Sequence, residues 1–189
     1  YLLKPHSIKA VIKASSVVIA GSHYIYDWAR RFNKNVYLVP TPVPLEKFTV
    51  KDYEAEPQFD QIIIGWIGSP TTLEHLASIQ SVMDKLALDF PNIILRIIGH
   101  SNKNHLLPVF KYCKIEFVSS IPYTKVPDAV KNFDIGIMPL IGKEWDKGKC
   151  VGKALEYMAA GVPVIASRFG ENSYAIIDEK NGLLASDSE

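Results

Sequence analysis

An α/β fold with a parallel sheet is predicted for this chain by two observations. Short runs rich in β-branched residues recur along the sequence, and most are continuously apolar, as are strands that are buried on both faces. Segments of helix-forming composition lie between these runs, and such alternation is typical of a Rossmann-like sheet with helices on both faces. The predicted strands are 16–20, 36–39, 62–67, 93–98, 115–118, 135–138 and 163–166.

Two helices are predicted from apolar periodicity and end signals. The clearer one is 71–88, TTLEHLASIQSVMDKLAL, whose apolar residues approximate an amphipathic stripe. Thr71 and Glu74 have the spacing of a capping box, and Ser69 before Pro70 offers an alternative start. The other helix is expected at about 125–132, where it leads into the strand at 135–138.

A connector is predicted at 41–61, which is rich in proline and charge and lacks apolar periodicity. Residues 1–40 form a helix, strand, helix, strand unit that is too short to bury a doubly wound sheet alone, so we expect the tail of a preceding domain. Residues 62–189 then form the Rossmann-like unit. It ends just after a turn and a short strand, where an α/β chain would normally supply a covering helix.

Composition excludes several classes of function. The 189 residues are 48% hydrophobic and 22% charged, with a net charge of +1, which is typical of a soluble globular protein and argues against a duplex nucleic-acid binder. Cys113 and Cys150 are too few for a disulfide scaffold, and neither they nor the five histidines have metal-ligand spacing. We therefore expect no bound metal. The histidines are expected to be structural or surface groups, and the setting to be reducing and cytoplasmic. No signal-peptide pattern or membrane-length apolar run is present.

The candidate site comes from the loops that follow the strands, because ligands of open parallel sheets bind beyond the strands' carboxyl ends. These loops are 68–72, 99–102, 119–124 and 139–153, of which the last, PLIGKEWDKGKCVGK, is the most unusual. If a helix starts near Lys149, one accessible stripe contains Lys149, Gly152, Lys153 and Glu156. A second stripe, facing the sheet, contains Val151, Leu155, Met158 and Ala159.

This accessible stripe has the properties of a nucleotide clamp. Free N–H groups at a helix start, reinforced by lysines, attract phosphate, and the missing side chain of Gly152 lets a ligand approach. Glu156 lies about 10 Å farther along the helix axis than Lys149, which is about the span from a diphosphate to the ribose of the same nucleotide. Gly68, Ser69, Thr71 and Thr72 could add a second phosphate contact from the 68–72 loop, although helix capping accounts for these residues as well.

Four alternative roles for these residues fit the sequence to different degrees. A surface ion pair between Lys153 and Glu156, with glycines that only shape a loop, fits the spacing equally well. A P-loop is excluded, because three residues instead of four separate Gly148 from Gly152, and Ala154 replaces the Mg²⁺-binding hydroxyl. No GxGxxG follows a strand, which disfavours NAD binding. Cys150 is disfavoured as a nucleophile because no histidine lies near it in sequence.

The segments DIGIMPL, EWDKGKCVGKALEYMAAGVPVIAS and NGLLA, in this order, resemble family 4 of the retaining nucleotide-sugar glycosyltransferases, which have the GT-B fold. IIIGWIGSPTTLEHL resembles the first strand and loop of that family's donor domain, and VYLVPTPVPLEKF resembles its interdomain connector. The resemblance implies the C-terminal half of a GT-B enzyme: residues 1–40 as the tail of the N-terminal acceptor domain, 41–61 as the connector, and 62–189 as the donor-binding domain.

The resemblance also implies roles for single residues. Glu156 matches the ribose-binding second acid of the family's E-x7-E pattern, whereas the first acid falls on Gly148. Glu144 or Asp146 would substitute for the sugar-hydroxyl contact, and Glu144 is the candidate catalytic residue. The diphosphate would be held by Lys149, Lys153 and the 68–72 loop in place of the family's Arg and Lys. The 119–124 loop, with Ser119, Ile121 and Tyr123, would face the base.

The function implied by the resemblance is retaining transfer of a sugar from a nucleotide-diphosphate sugar to an unknown acceptor, as in cell-envelope polysaccharide synthesis. No cofactor beyond this donor substrate is expected. The acceptor would be held by a missing N-terminal domain, and membrane association would occur only through missing segments, at the inner face of the membrane. The 189 residues alone are expected to bind donor without transferring sugar. The alternative is a non-catalytic nucleotide-binding or regulatory module. A phosphosugar isomerase or epimerase is disfavoured, because the cleft lacks well-placed acid-base residues.

Overall fold

The computed structural model describes residues 5–53, 60–100 and 109–186. The 99–102 loop and the 41–61 connector therefore lie partly outside the described residues. Helices and strands alternate along the chain as α1 Pro5–Ala14, β1 Val18–Ala20, α2 His23–Arg30, β2 Val36–Leu38, β3 Ile62–Ile67, α3 Glu74–Ala77, α4 Gln80–Asp89, β4 Ile93–His100, β5 Lys114–Ser119, α5 Val126–Lys131, β6 Ile135–Met138, α6 Glu144–Lys147, α7 Gly152–Ala159, β7 Val164–Ser167, α8 Asn172–Ala175 and β8 Leu183–Ala185.

All strand pairs in the described part of the chain are parallel. β1 pairs with β2 in a small sheet, and the other strands form a six-stranded sheet of order β5-β4-β3-β6-β7-β8. The predicted strands are all present, each within two residues of its predicted ends. The strand order runs outward in opposite directions from β3 and β6, so the topological switch point, where ligands bind in such sheets, lies between these two strands.

Helices cover both faces of the six-stranded sheet, which confirms the predicted fold class. On one face, Leu73, Leu76, Met83 and Ala87 from α3, α4 and the turn before α3 pack on β3 and β4. The opposite face is covered by α5 and α7, whose buried residues include Val130, Ala154 and Tyr157. The continuous apolar composition of β3 and β4 follows from this burial on both faces.

Two glycines at the centre of the sheet make room for aromatic rings. Gly65 and Gly136 face each other in the β3–β6 register. A Cβ on Gly65 would lie 2.0 Å from the Phe133 ring, and one on Gly136 would lie 2.4 Å from the Tyr157 ring. Burial raises the pKa of the Tyr157 hydroxyl, which accepts the Ile67 N–H at 3.1 Å. This contact joins α7 to the carboxyl end of β3.

Tyr157 also corrects the predicted orientation of α7. The residues of this helix that face the sheet are Ala154 and Tyr157, which are fully buried, rather than Leu155 and Met158. The latter two line a shallow apolar groove with Val43, Leu45 and Ala159. The large ring over Gly136 sets which side of the helix packs against the sheet, and hydrophobicity alone does not reveal this preference.

The prediction of one continuous helix over 71–88 is wrong. Residues Pro70–Thr72 form a single 3-10 turn, and α3 and α4 are separate. At the break, the Ser78 hydroxyl donates to the His75 carbonyl at 2.7 Å, where it competes with helical backbone bonding. The predicted capping box is also wrong, because Glu74 pairs with Lys143 and the 3-10 turn has no side-chain cap.

Asp84 links α4 to the segment just before β5 and should contribute to the stability of the fold in a pH-dependent way. Its carboxylate accepts the N–H groups of Lys111, Tyr112 and Cys113 at 2.8–3.1 Å, and these bonds hold its pKa below the usual range. A depressed folded-state pKa means that this stabilisation is present above the unfolded-state pKa and is lost as pH falls through the folded-state pKa.

We therefore expect Asp84→Asn to lower the melting temperature at neutral pH and to converge with the wild type on acidification. Thermal unfolding followed by circular dichroism between about pH 2.5 and pH 7 measures this difference. Asp128→Asn, at an exposed position of α5, is the matched control. A melting-temperature difference between Asp84→Asn and wild type that stays constant down to the lowest pH would contradict the role of the ionised carboxylate.

Candidate functional site

The 68–72 loop after β3 and the 139–151 segment after β6 meet at the switch point of the sheet. Three contacts join them or the helices that follow. The Lys153 side chain crosses to Gly68, where an added Cβ would lie 2.9 Å from Lys153 Cε. Lys143 Nζ lies 2.5 Å from Glu74 Oε2, and Lys149 Nζ lies 2.5 Å from His75 Nε2. The candidate site is the crevice between these two segments.

Helix α7 starts at Gly152, three residues later than predicted, so Lys149 precedes the helix. The backbone N–H of Lys149 instead donates to the Asp146 carbonyl at 3.2 Å and continues the turn of α6. Val151 caps α7 without a side-chain hydrogen bond, which leaves the first-turn N–H groups available. A Cβ on Gly152 would meet nothing within 4 Å, so the helix start opens onto free space.

Lys153 is a half-buried cation without an ion pair among the described residues. Its ammonium lies 5.5 Å from the centre of the Trp66 ring. Burial lowers the pKa of Lys153, the charge of Lys149 lowers it further, and Glu156 partly opposes this shift. An unpaired cation in such a position attracts an anionic ligand, because a ligand phosphate would supply the missing counter-charge.

Glu156 lies one turn beyond Lys153 on α7 and is half-buried. Burial raises its pKa, while a hydrogen bond from the Tyr123 hydroxyl and the charge of Lys153 lower it. Tyr123 belongs to the 119–124 loop, so the predicted base-facing loop contacts the predicted ribose-binding carboxylate. Ser119 is exposed at the end of β5, and Ile121 packs against the core, so Tyr123 is the one of these three residues that contacts Glu156.

The hydroxyls of the 68–72 loop are hydrogen-bonded within the loop. Ser69 Oγ lies 2.9 Å from Thr71 Oγ1, and Thr72 Oγ1 donates to the Ser69 carbonyl at 2.9 Å. The Gly68 N–H donates to the Ile98 carbonyl at 3.0 Å. These bonds hold the shape of the loop, so its three hydroxyls already have partners within the loop.

A buried polar cluster that sequence reasoning missed lies behind the crevice. Lys149 Nζ lies 2.8 Å from Asp146 Oδ1 as well as 2.5 Å from His75 Nε2. The Asp146 side chain is only 1% exposed and the Lys149 side chain 17% exposed. Burial and the charge of Lys149 lower the pKa of His75. The i,i+3 spacing of Asp146 and Lys149 is a visible signal, but nothing in the sequence points to His75.

The candidate substitutes for the missing first acid are held elsewhere. Asp146 is buried in the cluster just described, so its carboxylate does not reach an open site. Glu144 is 70% exposed and accepts hydrogen bonds from Tyr24 and from Lys147. Its position is at the boundary with the N-terminal unit, residues 5–40. Gly148 also faces that unit, because an added Cβ would lie 3.1 Å from Ile25 Cδ1.

The turn between β1 and α2 covers this part of the 139–151 segment. The Ser22 hydroxyl donates to the Gly148 carbonyl at 3.3 Å, and the Cys150 thiol donates to the Gly21 carbonyl at 3.3 Å. Beside it, His23 stacks on Tyr174 and bonds the buried Glu171 carboxylate through its ring and its backbone N–H. The N-terminal unit therefore forms one wall beside the crevice.

The described part of the chain has neither a metal-binding cluster nor a membrane-spanning helix. Among 5–53, 60–100 and 109–186, no group of three or more His, Cys, Asp and Glu side chains could hold a metal ion. No helix in these same ranges is long and apolar enough to cross a membrane. A cavity of about 600 Å³ that includes Lys51, Lys131 and Asp134 lies at the amino ends of β3 and β6, on the edge opposite the candidate site.

Comparison with known proteins identifies a family. The sequence model of the family described as "Glycosyl transferases group 1" matches residues 61–189. No curated protein matches the chain in sequence.

Several solved structures have a fold similar to that of this chain. Anabaena HepE, solved in complex with UDP-glucose, has a TM-score of 0.69 at 13% identity, over 97% of this chain and 53% of HepE. S. aureus TarM, solved with UDP among its ligands, has a TM-score of 0.65 at 15% identity, over 96% of this chain and 36% of TarM. The C-terminal domain of LpcC from Francisella tularensis has a TM-score of 0.54 at 18% identity, over 77% of this chain and 80% of that domain. The chain thus spans about half the length of HepE.

Proposed function

Because the chain belongs to the group 1 glycosyl transferase family, we propose that it is the donor-binding part of a retaining, family 4 glycosyltransferase. It binds a nucleotide-diphosphate sugar at the start of α7, and the complete enzyme transfers the sugar to an acceptor. The half-buried Lys153, which has no ion pair among the described residues, carries this proposal, since such a cation beside a helix N-terminus favours an anionic partner.

The diphosphate lies between the first turn of α7 and the 68–72 loop in this proposal. Lys153 and the α7 N–H groups stabilise the negative charge that grows on the diphosphate as the sugar departs, which lowers the barrier to transfer. Glu156 lies about 6 Å farther along the helix than Gly152. From there it accepts hydrogen bonds from the ribose hydroxyls, while Tyr123 lies on the side of the base.

Uridine diphosphate is the first nucleotide to test. HepE was solved with UDP-glucose and with UDP, and TarM with UDP, so UDP is a reasonable probe although the fold alone does not select the base. GDP and ADP complete the series. Saturable binding of one of these nucleotides, measured by calorimetry, supports the donor site, and no binding of any of them to the folded chain contradicts it.

The proposal assigns residues 1–40 to the end of an acceptor domain, 41–61 to a connector and 62–189 to the donor domain. Support comes from the coverage of HepE, whose chain is about twice as long as the matched part. The 189 residues alone should bind donor without transferring its sugar, and turnover by this chain with any acceptor would refute that part. Cytoplasmic location belongs to the same proposal and agrees with Cys113 and Cys150, which are both free thiols.

Glu156→Gln should weaken UDP binding about tenfold, because the neutral amide loses a charge-assisted hydrogen bond to ribose. The sharper readout is the preference for UDP over 2′-deoxy-UDP, which we expect to be about tenfold in the wild type and to shrink in the variant. Calorimetric titration with both ligands measures this preference.

The matched control for this prediction is Glu46→Gln, which removes an exposed carboxylate from the short helix Leu45–Lys47. It should leave both affinities at their wild-type values. If Glu156→Gln weakens UDP and 2′-deoxy-UDP equally and keeps the preference intact, the carboxylate does not bind the ribose hydroxyls.

A further inference from the structure

The two lysines at the start of α7 are held in different ways. Lys153 has no ion pair among the described residues, whereas Lys149 is fixed between Asp146 and His75. A lysine ammonium carries three N–H donors and no acceptor. Two of these donors are directed at Asp146 Oδ1 and His75 Nε2, so a third remains for a further partner. The Lys149 side chain is 17% exposed, so it is not fully enclosed by the protein.

The direction of the hydrogen bond defines the state of His75. Because Lys149 can only donate, Nε2 of His75 must accept, and the imidazole is the neutral tautomer with its proton on Nδ1. The lowered pKa of His75 agrees with this neutral state. Nδ1 is buried and has no hydrogen-bond partner among the described residues. Nε2 lies 2.5 Å from Lys149 Nζ and 3.4 Å from Asp146 Oδ1, so His75 contacts the cluster through Nε2.

A neutral acceptor suits this position better than a second carboxylate would. Asp146 already balances the charge of Lys149, and it accepts the Lys143 N–H at 3.1 Å with its other oxygen. Another acid at position 75 would leave the cluster with a net negative charge beside Lys153 and would repel phosphate. An imidazole orients the ammonium without adding such a charge.

We propose that His75 is a positioning residue of the donor site, which accepts a hydrogen bond from Lys149 and so holds the remaining Lys149 N–H ready for the diphosphate. The role of His75 rests on the proposed diphosphate site. His75 follows the 68–72 loop, and Lys149 precedes α7, so the bond also joins the two segments that form the crevice. A charge held in place before the ligand binds needs no reorganisation during the reaction.

The test is a set of variants of the 189-residue chain titrated with UDP, GDP and ADP. His75→Leu should weaken binding of the preferred nucleotide about tenfold, and Lys149→Met at least as much. His75→Gln should stay within about threefold of the wild type, because its amide oxygen can reach the former position of Nε2, whereas the shorter Asn cannot. In the Lys149→Met background, His75→Leu should cause no further loss.

This non-additivity separates positioning from a general structural role. A residue that only supports the fold would weaken binding by the same factor with or without Lys149, and that result would overturn the role of His75. Equal losses for the Gln and Leu variants would do so too. If His75→Leu does not fold, the comparison of Gln with Asn decides in the same way. If the wild type binds none of the three nucleotides, the proposed function fails, and the role of His75 fails with it.

Discussion

Lys153→Met is expected to weaken nucleoside diphosphate binding about a hundredfold, or roughly 2.8 kcal/mol, while raising the stability of the unliganded chain. Methionine keeps an unbranched apolar stem beside Trp66 and removes the charge. No ion pair with Lys153 exists among the described residues, so the variant should lose nucleotide affinity without losing an internal salt bridge. Calorimetry with UDP, GDP and ADP measures the first effect and thermal unfolding the second.

The expected gain in stability follows from the lowered pKa of Lys153, and burial is the largest cause of this lowering. A folded-state pKa below the unfolded-state value means that the charged lysine costs stability at neutral pH, and this cost falls as pH rises through the folded-state pKa. The variant should therefore melt above the wild type at neutral pH, and the difference should narrow in alkaline solution.

Lys147→Met provides a control for Lys153→Met, since Lys147 is an exposed lysine paired with Glu144 on the outside of α6. It should lower nucleotide affinity far less than Lys153→Met. Similar losses of affinity in both variants would indicate that binding responds to net charge alone, and the specific role of Lys153 would then be wrong.

The fold could be predicted from the sequence because burial on both faces leaves a direct trace in composition. β3 and β6 match their predicted ranges in full, since a strand between two helical layers must be apolar at every position. The predicted helix over 71–88 is wrong for the opposite reason. At its break the Ser78 hydroxyl bonds the His75 carbonyl, and the apolar stripe does not reveal such a local competition for a backbone carbonyl.

The candidate site was only partly predictable, and the two lysines show why. In sequence, Lys149 and Lys153 are equivalent basic residues around a glycine-rich helix start. In the structure, Lys149 is paired with Asp146 and bonded to His75, whereas Lys153 lies over Trp66 and has no ion pair within the described part of the chain. Charge can be read from sequence, but the counter-charge and the degree of burial depend on which distant segments the fold brings together.

Gly99→Ala is expected to have the largest effect on stability among single methyl additions in the site, with a loss of about 3 kcal/mol. Gly99 has φ +100°, a conformation that L side chains rarely adopt. An added Cβ would also lie 1.9 Å from the Gly68 carbonyl oxygen. Backbone cannot move aside as a flexible side chain can, so β4 and the loop after β3 must separate.

The clash with the Gly68 carbonyl should also displace part of the donor site, because Gly68 is the first residue of the 68–72 loop and lies next to Lys153. We expect Gly99→Ala to lower the melting temperature by about 10 °C and to weaken UDP binding measured well below that temperature. Gly152→Ala is the informative comparison. A Cβ there meets no atom within 4 Å, and alanine favours the first turn of a helix, so stability should hold or rise slightly.

Binding by Gly152→Ala should nevertheless fall, since the added methyl group occupies the space at the α7 start that the diphosphate requires. The two glycine variants thus separate two effects: Gly99→Ala loses stability and binding together, and Gly152→Ala loses binding alone. If Gly152→Ala binds UDP, GDP or ADP as tightly as the wild type does, the ligand does not approach the start of α7. The proposed clamp of Lys153 and Glu156 at the start of α7 would then be wrong.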